Sequence, residues 1–274
     1  MQIRWKYIFG LLTLVCIALW LAIFSSPDKN LHLVACDVGQ GDAILIIYGN
    51  TQILIDGGPN NKVLDCLGKH VPFWDREIEM VILTHPDSDH YTGLIGVVKR
   101  YKIGNFLYNG LSAGTESYEV LEKEVGGEGI KGVIAKKGTG VRVGKMYLDI
   151  LSPEEAKSEK DSNDNSLVID LKYGSFEAIL AGDAPKEVLN AISVKVPLDY
   201  LKLSHHGSKT GTDAFTLDNF MPKLAIISVG KNNYGHPNKE VLNLLKERSI
   251  KTLRTDETGN IEITSDGKSW GIVK

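Results

Sequence analysis

Cysteine is scarce in this sequence: Cys16, Cys36 and Cys66 are the only three among 274 residues. So small and scattered a set excludes a disulfide framework or a thiolate zinc site. Cys16 falls in an apolar stretch and Cys36 in a strand pattern, so both read as buried small apolar residues without chemistry. A surplus of one charge is missing as well, with 31 Lys and Arg against 34 Asp and Glu and a net charge of -3. No global pull toward nucleic acid or membrane follows, so any such affinity has to be local. Internal repeats, low-complexity tracts and an obvious linker are also lacking. The chain, 43% hydrophobic and 24% charged, therefore suits one large globular domain or two small ones.

One long apolar run is present. Residues 7–24, YIFGLLTLVCIALWLAIF, carry no charge, and about 18 residues just span a bilayer core. Arg4 and Lys6 precede the run, whereas Asp28 and Lys29 follow it and cancel. That asymmetry leaves the N-terminus in the cytoplasm and residues 30–274 outside. A cleaved signal peptide, which would make the protein secreted, is the rival reading. The run is longer than a normal signal core, however, and Phe24-Ser25-Ser26-Pro27 makes a poor cleavage site. The expected division is a membrane anchor over 1–29 and a folded domain over 30–274.

After the anchor, three strands are expected in quick succession, at 31–37, 43–48 and 51–56, the last two joined by a tight turn at Gly49-Asn50. Later strands alternate with helices, which implies sheets covered by helices rather than a bundle. The polar clusters sit immediately after apolar strands, at Asp56, 85–90, Asp183, His205-His206 and His236. Strand ends at one rim of a layered α/β fold are where sites are built. Between 131 and 145, Lys131, Lys136, Lys137, Arg142 and Lys145 occur without an acidic residue; a solvated hairpin edge and a polyanion-binding face are both open there.

The densest cluster is Thr84-His85-Pro86-Asp87-Ser88-Asp89-His90, four metal-ligand side chains within six residues at a strand end. Clustered histidines and carboxylates are the usual composition of metal sites. With Asp183 and the 205–206 pair, there are donors for two divalent ions. Such a pair, roughly 3.5–4 Å apart, stabilises both the attacking and the leaving oxygen in hydrolysis.

Together with Asp37-Val38-Gly39-Gln40-Gly41-Asp42-Ala43, Leu54-Ile55-Asp56-Gly57-Gly58, Ala181-Gly182-Asp183 and Ser204-His205-His206-Gly207-Ser208, this motif resembles the metallo-β-lactamase superfamily. Within it the chain is similar to the ComEC-like branch, the extracytoplasmic nuclease-type domain of the competence DNA-uptake channel, over residues 31–274. The resemblance implies an α/β fold, a four-layer αββα sandwich with the metal centre at one edge, here preceded by one transmembrane helix. It also implies a hydrolase, in the first instance a phosphodiesterase or nuclease acting outside the cytoplasm on DNA, single-stranded DNA included, or a related phosphate ester.

Carried over by position, His85 and Asp87 would serve the first of two zinc or manganese ions, Asp89 and His90 the second, and Asp183 would bridge. One of His205 and His206 would complete the second site while the other faces the scissile group. Asp56 would orient ligands, with Asp37, Asn163 and Asp164 as further supporting groups. Asp89, His206 and His236 would act in catalysis, and Ser208 and Lys209 would bind substrate. Asp87 stands where the superfamily has His, and Asn163 and Asp164 where it has another. These oxygen donors shift preference from zinc toward manganese. The full uptake protein carries a multi-helix channel that this chain lacks, so a channel would be a separate partner; the oligomeric state stays open.

Two alternatives are kept. One is a hydrolase of a small ester such as a phosphocholine, favoured if Tyr91, Tyr108, Tyr234 or Trp74 lines the pocket. The other is a non-catalytic module that holds DNA or a partner.

Overall fold

The computed structural model describes residues 5–24, 28–157, 161–194 and 197–273. Helix α1 (Trp5–Phe24) precedes the first half of the fold: β1 (Leu31–Ala35), β2 (Ile44–Tyr48), β3 (Thr51–Ile55), α2 (Lys62–His70), β4 (Glu77–Leu83), α3 (Ser88–Val98), β5 (Lys102–Tyr108), α4 (Glu116–Gly127) and β6 (Lys131–Ile134). The second half comprises β7 (Gly140–Val143), β8 (Met146–Ser152), β9 (Val168–Tyr173), β10 (Phe176–Leu180), α5 (Lys186–Asn190), β11 (Tyr200–Lys202), α6 (Ala214–Phe220), β12 (Leu224–Ile227), α7 (Lys239–Glu247) and β13 (Lys251–Arg254). Helix α8 (Thr255–Thr258) and strands β14 (Ile261–Ser265) and β15 (Trp270–Ile272) close the described chain.

Two sheets result, ordered β15-β14-β1-β2-β3-β4-β5-β6 and β13-β12-β11-β10-β9-β8-β7. Each is antiparallel on one side and parallel on the other, since β3 to β6 and β10 to β13 run parallel. A parallel neighbour needs a crossover, and α2 to α7 supply one for each. Both parallel sets end at a shared rim, where Leu167 N donates to Thr84 O across the sheets at 3.0 Å.

Alternation along the strands builds the layers. Leu31, Leu33 and Ala35 of β1 face the other sheet and pack with Leu148, Ile150 and Leu171. Val34 points the opposite way into a second core, with Leu67 of α2 and Leu94 of α3. A third core sets Leu201 and Ile227 against Leu189, Phe220 and Val241. The order of layers is therefore helix, sheet, sheet, helix, as the motifs implied. β7 and α6 had no clear pattern of their own and were not expected.

Two expectations need correction. Cys16, expected to be buried, is exposed, and Cys36 is not a lone apolar thiol: it forms a disulfide with Cys66, with Cα atoms 5.8 Å apart. Thirty residues separate them, and only the packing of α2 beside the end of β1 brings them together. Closing a loop of that size contributes about 3–4 kcal/mol in the chain-entropy account. Secondly, residues 7–24 are helical, yet among the described residues no helix is long and apolar enough to cross a membrane. Side chains are described only as far as Trp20, short of the roughly 20 residues that a crossing takes. Arg4 and the cleavage-site residues Ser25, Ser26 and Pro27 lie outside the described residues. In the basic stretch, for which both readings were open, Lys137 pairs with Glu154 and the Arg142 guanidinium lies over Tyr147.

Candidate metal centre

Asp56 follows β3 with φ of 59°, a left-handed conformation that costs a non-glycine residue about 1 kcal/mol or more. The turn is held by neighbours on both sides: Asp56 N donates to Ile82 O at 2.8 Å and Gly57 N to His90 O at 2.6 Å. α3 lies so close that a Cβ on Gly93 would meet Gly57 O at 1.9 Å. In this position the Asp56 carboxylate accepts from Thr84 N and Thr84 Oγ1, both at 2.8 Å, and faces His90 Nδ1 at 2.9 Å.

These contacts orient the imidazoles. A carboxylate beside His90 Nδ1 puts the proton on that nitrogen. The Thr84 hydroxyl, having donated to Asp56, accepts from His85 Nδ1 at 3.0 Å. His206 Nδ1 donates to Ser228 O at 2.9 Å. All three rings are thus pinned through Nδ1, and Nε2 of His85, His90 and His206 is buried without a hydrogen-bond partner. Orphaned buried polar atoms are rare and call for a ligand.

The carboxylates face these nitrogens. Asp183 Oδ1 lies 3.4 Å from His90 Nε2, its Oδ2 lies 3.4 Å from His206 Nε2, and Asp89 Oδ2 is 3.2 Å from His206 Nε2. Asp87 Oδ2 is 3.6 Å from His85 Nε2. His85, His90 and Asp183 offer donor atoms within 4.8 Å of one another, and so do Asp89, His90 and His206. Donors of this kind and spacing fit two divalent ions. Without ions the charges answer each other. Burial alone would depress His206, but Asp183 and Asp42 push it up to about 9; His90 is likewise driven up against burial by Asp183 and Asp56. Asp183 is held well below the usual carboxylate range, because His206 and His90 outweigh its own burial.

The Ser-His-His-Gly-Ser turn explains how adjacent histidines part. His205, His206 and Gly207 have φ of 50°, 53° and 80°, an uncommon left-handed run braced by Ser208 N donating to His205 O at 2.8 Å. His206 turns into the cluster. His205 stays partly exposed, its Nε2 3.8 Å from Asp183 Oδ2 and its ring 5.3 Å from that of His236. Burial holds both His205 and His236 below the usual imidazole value.

A family model described as Metallo-beta-lactamase superfamily matches residues 36–160. The chain is 33% identical over 90% of its length to ComE operon protein 3 of Bacillus subtilis (strain 168), of which it covers 35%. It is 26% identical over 86% of its length to Competence protein ComA of Neisseria gonorrhoeae, of which it covers 32%. In fold it is similar to the metallo-beta-lactamase fold protein YhfI from Bacillus subtilis, with a TM-score of 0.60 and 14% identity over 85% of this chain and 99% of that one. Residues 36–160 thus match the metallo-β-lactamase superfamily, and the chain has the fold of such a protein. It spans about a third of the length of these two curated relatives.

Other residues that the superfamily resemblance nominated stand elsewhere. Asp37 accepts from Gly39 N at 3.3 Å and lines a small cavity with Lys62 and Lys69, away from the cluster. Ser208 is buried and bonded to Thr210 Oγ1 at 2.9 Å, while Lys209 is exposed. Asp164 lines a separate cavity with Lys137 and Glu154. Asn163 Oδ1 is buried without a partner, and Asp87, which burial would raise, is held low by His85 and then by the Ser162 hydroxyl. Two groups at the cluster were not anticipated, Asp42 and Lys202, whose buried side chains form an ion pair. A lysine inside the apolar run 198–203 was the available signal.

Proposed function

We propose that this metallo-β-lactamase-fold chain is a dinuclear phosphodiesterase, acting on DNA or a related phosphate ester outside the cytoplasm. The observation that carries the reading is the convergence of the His90 and His206 Nε2 atoms, neither with a hydrogen-bond partner, on the Asp183 and Asp89 carboxylates, with a His85 donor atom within 4.8 Å of those of His90 and Asp183. His85, Asp87, His90 and Asp183 would hold one ion and Asp89, His90 or His206 and Asp183 the other, with manganese suited by the oxygen-rich set. Bound ions supply positive charge for phosphoryl oxygens and lower the pKa of water. The chain's own contribution is positioning. His205 and His236, which burial holds below the usual imidazole value, stand at the mouth of the centre and can donate a ring N–H to a phosphoryl oxygen. Names of the relatives, one a competence protein, favour DNA, with an uptake channel as partner.

A cleft of about 780 Å³ beside the ligands favours a second reading. Asp87, Asp89, Ser112, Ser162, Tyr91 and Tyr234 are among its lining residues, and no Lys or Arg is among those described. Aromatic faces and carboxylates suit the cationic head group of a small phosphoester such as a phosphocholine. Purified full-length protein assayed with manganese or zinc on single-stranded DNA and on a phosphocholine ester separates the two. Turnover is expected on DNA and to vanish in Asp89→Ala and Asp183→Ala; equal inactivity of wild type and variants on both substrates with either metal rejects the enzyme reading.

The uncharged 7–24 segment is proposed to hold this domain to the outer face of the membrane. α1 exposes Trp5, Phe9, Leu11, Leu14 and Trp20, apolar surface that a bilayer can take up. The Cys36–Cys66 disulfide fits an oxidising compartment. Deleting residues 1–29 should move the protein from the membrane fraction to the soluble one; unchanged partitioning removes the anchor.

A further inference from the structure

Lys202 is the last residue of β11 and is fully buried, 0% exposed. Its Nζ donates to the Asp42 carboxylate and, at 3.3 Å, to Gly182 O, and it lies 4.0 Å from Asp183 Oδ1. Asp42 in turn reaches the ligand histidines from behind, with Oδ1 3.4 Å from His206 Nδ1 and Oδ2 4.0 Å from His90 Nδ1. An ammonium without water is costly to bury, and a hydrophobic pair of similar volume usually serves stability as well. Its place therefore asks for a reason beyond packing.

Charge counting offers one. Asp42, Asp56, Asp87, Asp89 and Asp183 bring five carboxylates to the cluster. Two divalent ions leave one negative charge over, and the Lys202 ammonium cancels it. We propose that Lys202, braced by Asp42, is a built-in counter-charge: it loosens the hold of the centre on its two divalent ions and keeps the loaded centre neutral toward an anionic phosphate. Lys202 touches no substrate in this arrangement and acts through Asp183 and Asp42 as a positioning residue. The phosphate half of the proposal rests on the phosphodiesterase reading; the metal half does not.

The two halves make opposite demands on one substitution. Lys202→Met removes a cation beside the ligands, so manganese should bind more tightly, by at least about tenfold. The same change leaves the loaded centre with an excess negative charge, so inorganic phosphate should bind it about tenfold more weakly. Asp42→Asn should weaken manganese binding, and the double variant Asp42→Asn/Lys202→Met should return both affinities to within about threefold of wild type. Titration calorimetry of the full chain with manganese, then of the loaded protein with inorganic phosphate, reads all four. Weaker manganese binding in Lys202→Met, or a shift of both affinities in one direction, overturns the proposal and leaves a structural lysine. Should Lys202→Met fail to fold by circular dichroism, the double variant decides: near-wild-type affinities sustain the counter-charge, and loss of both overturns it. If loaded wild type binds no phosphate, the phosphodiesterase reading fails while the manganese titrations still decide the role of Lys202.

Discussion

Asp183→Asn is expected to reduce bound manganese from two equivalents to one or fewer and to lower phosphoester hydrolysis roughly a thousandfold. Its two oxygens face different histidines, His90 at 3.4 Å and His206 at 3.4 Å, so this one carboxylate belongs to both prospective ion sites. Asparagine keeps the volume but replaces a charged acceptor with an amide whose nitrogen donates. Charge stabilisation by a metal is worth several kcal/mol, and each 1.36 kcal/mol is a decade in rate; losing most of it gives the thousandfold figure. The substitution also leaves Lys202, 4.0 Å away, facing a neutral group, which opposes cation binding further. Elemental analysis of the purified variant beside its kcat is the measurement. Two retained equivalents with a rate within tenfold of wild type would reject a bridging role.

How much of this centre was legible in the sequence depends on what each motif encodes. The strand-end clusters are local features: an apolar run, a break and a carboxylate or imidazole announce themselves within a few residues. Asp56, His85, Asp87, Asp89, His90, Asp183, His205, His206 and His236 were all nominated that way, and the parallel strands bring them to one rim. Which member of the 205–206 pair turns inward was not legible, because it depends on three successive left-handed residues that only the packed loop enforces. Asp42 and Asp37 sit in one motif, and the resemblance nominated Asp37 rather than Asp42. The fold decides: Asp42 is 2% exposed and joins Lys202, whereas Asp37 ends in a surface turn. The disulfide was missed for the same reason, since nothing in a spacing of thirty residues says that α2 lies against the end of β1.

The second large effect is a pH dependence of the metal-free protein that metal should abolish. Burial alone would lower the pKa of His206, but Asp183 and Asp42 lift it from 6.5 to about 9 in the folded state. A folded-state value above the unfolded one contributes stability that is complete below pH 6.5 and is lost as pH rises through about 9. The difference corresponds to about 3 kcal/mol, and His90, raised by Asp183 and Asp56 against its burial, adds in the same direction. Asp183 behaves oppositely: its depressed pKa contributes stability above the ordinary value of 3.8 that is lost as pH falls. Chelated protein should therefore be most stable near pH 5–6 and weaken steadily toward pH 9. Divalent ions take the same nitrogens only when these are unprotonated, so binding releases protons and grows tighter with pH. With manganese present the alkaline loss should disappear or reverse. Urea midpoints between pH 5.5 and 9.5, with chelator and with manganese, read both curves. Chelated protein as stable at pH 9.5 as at pH 6 would show that the carboxylates do not hold these imidazoles charged, and the electrostatic account of the metal-free protein would fall with it.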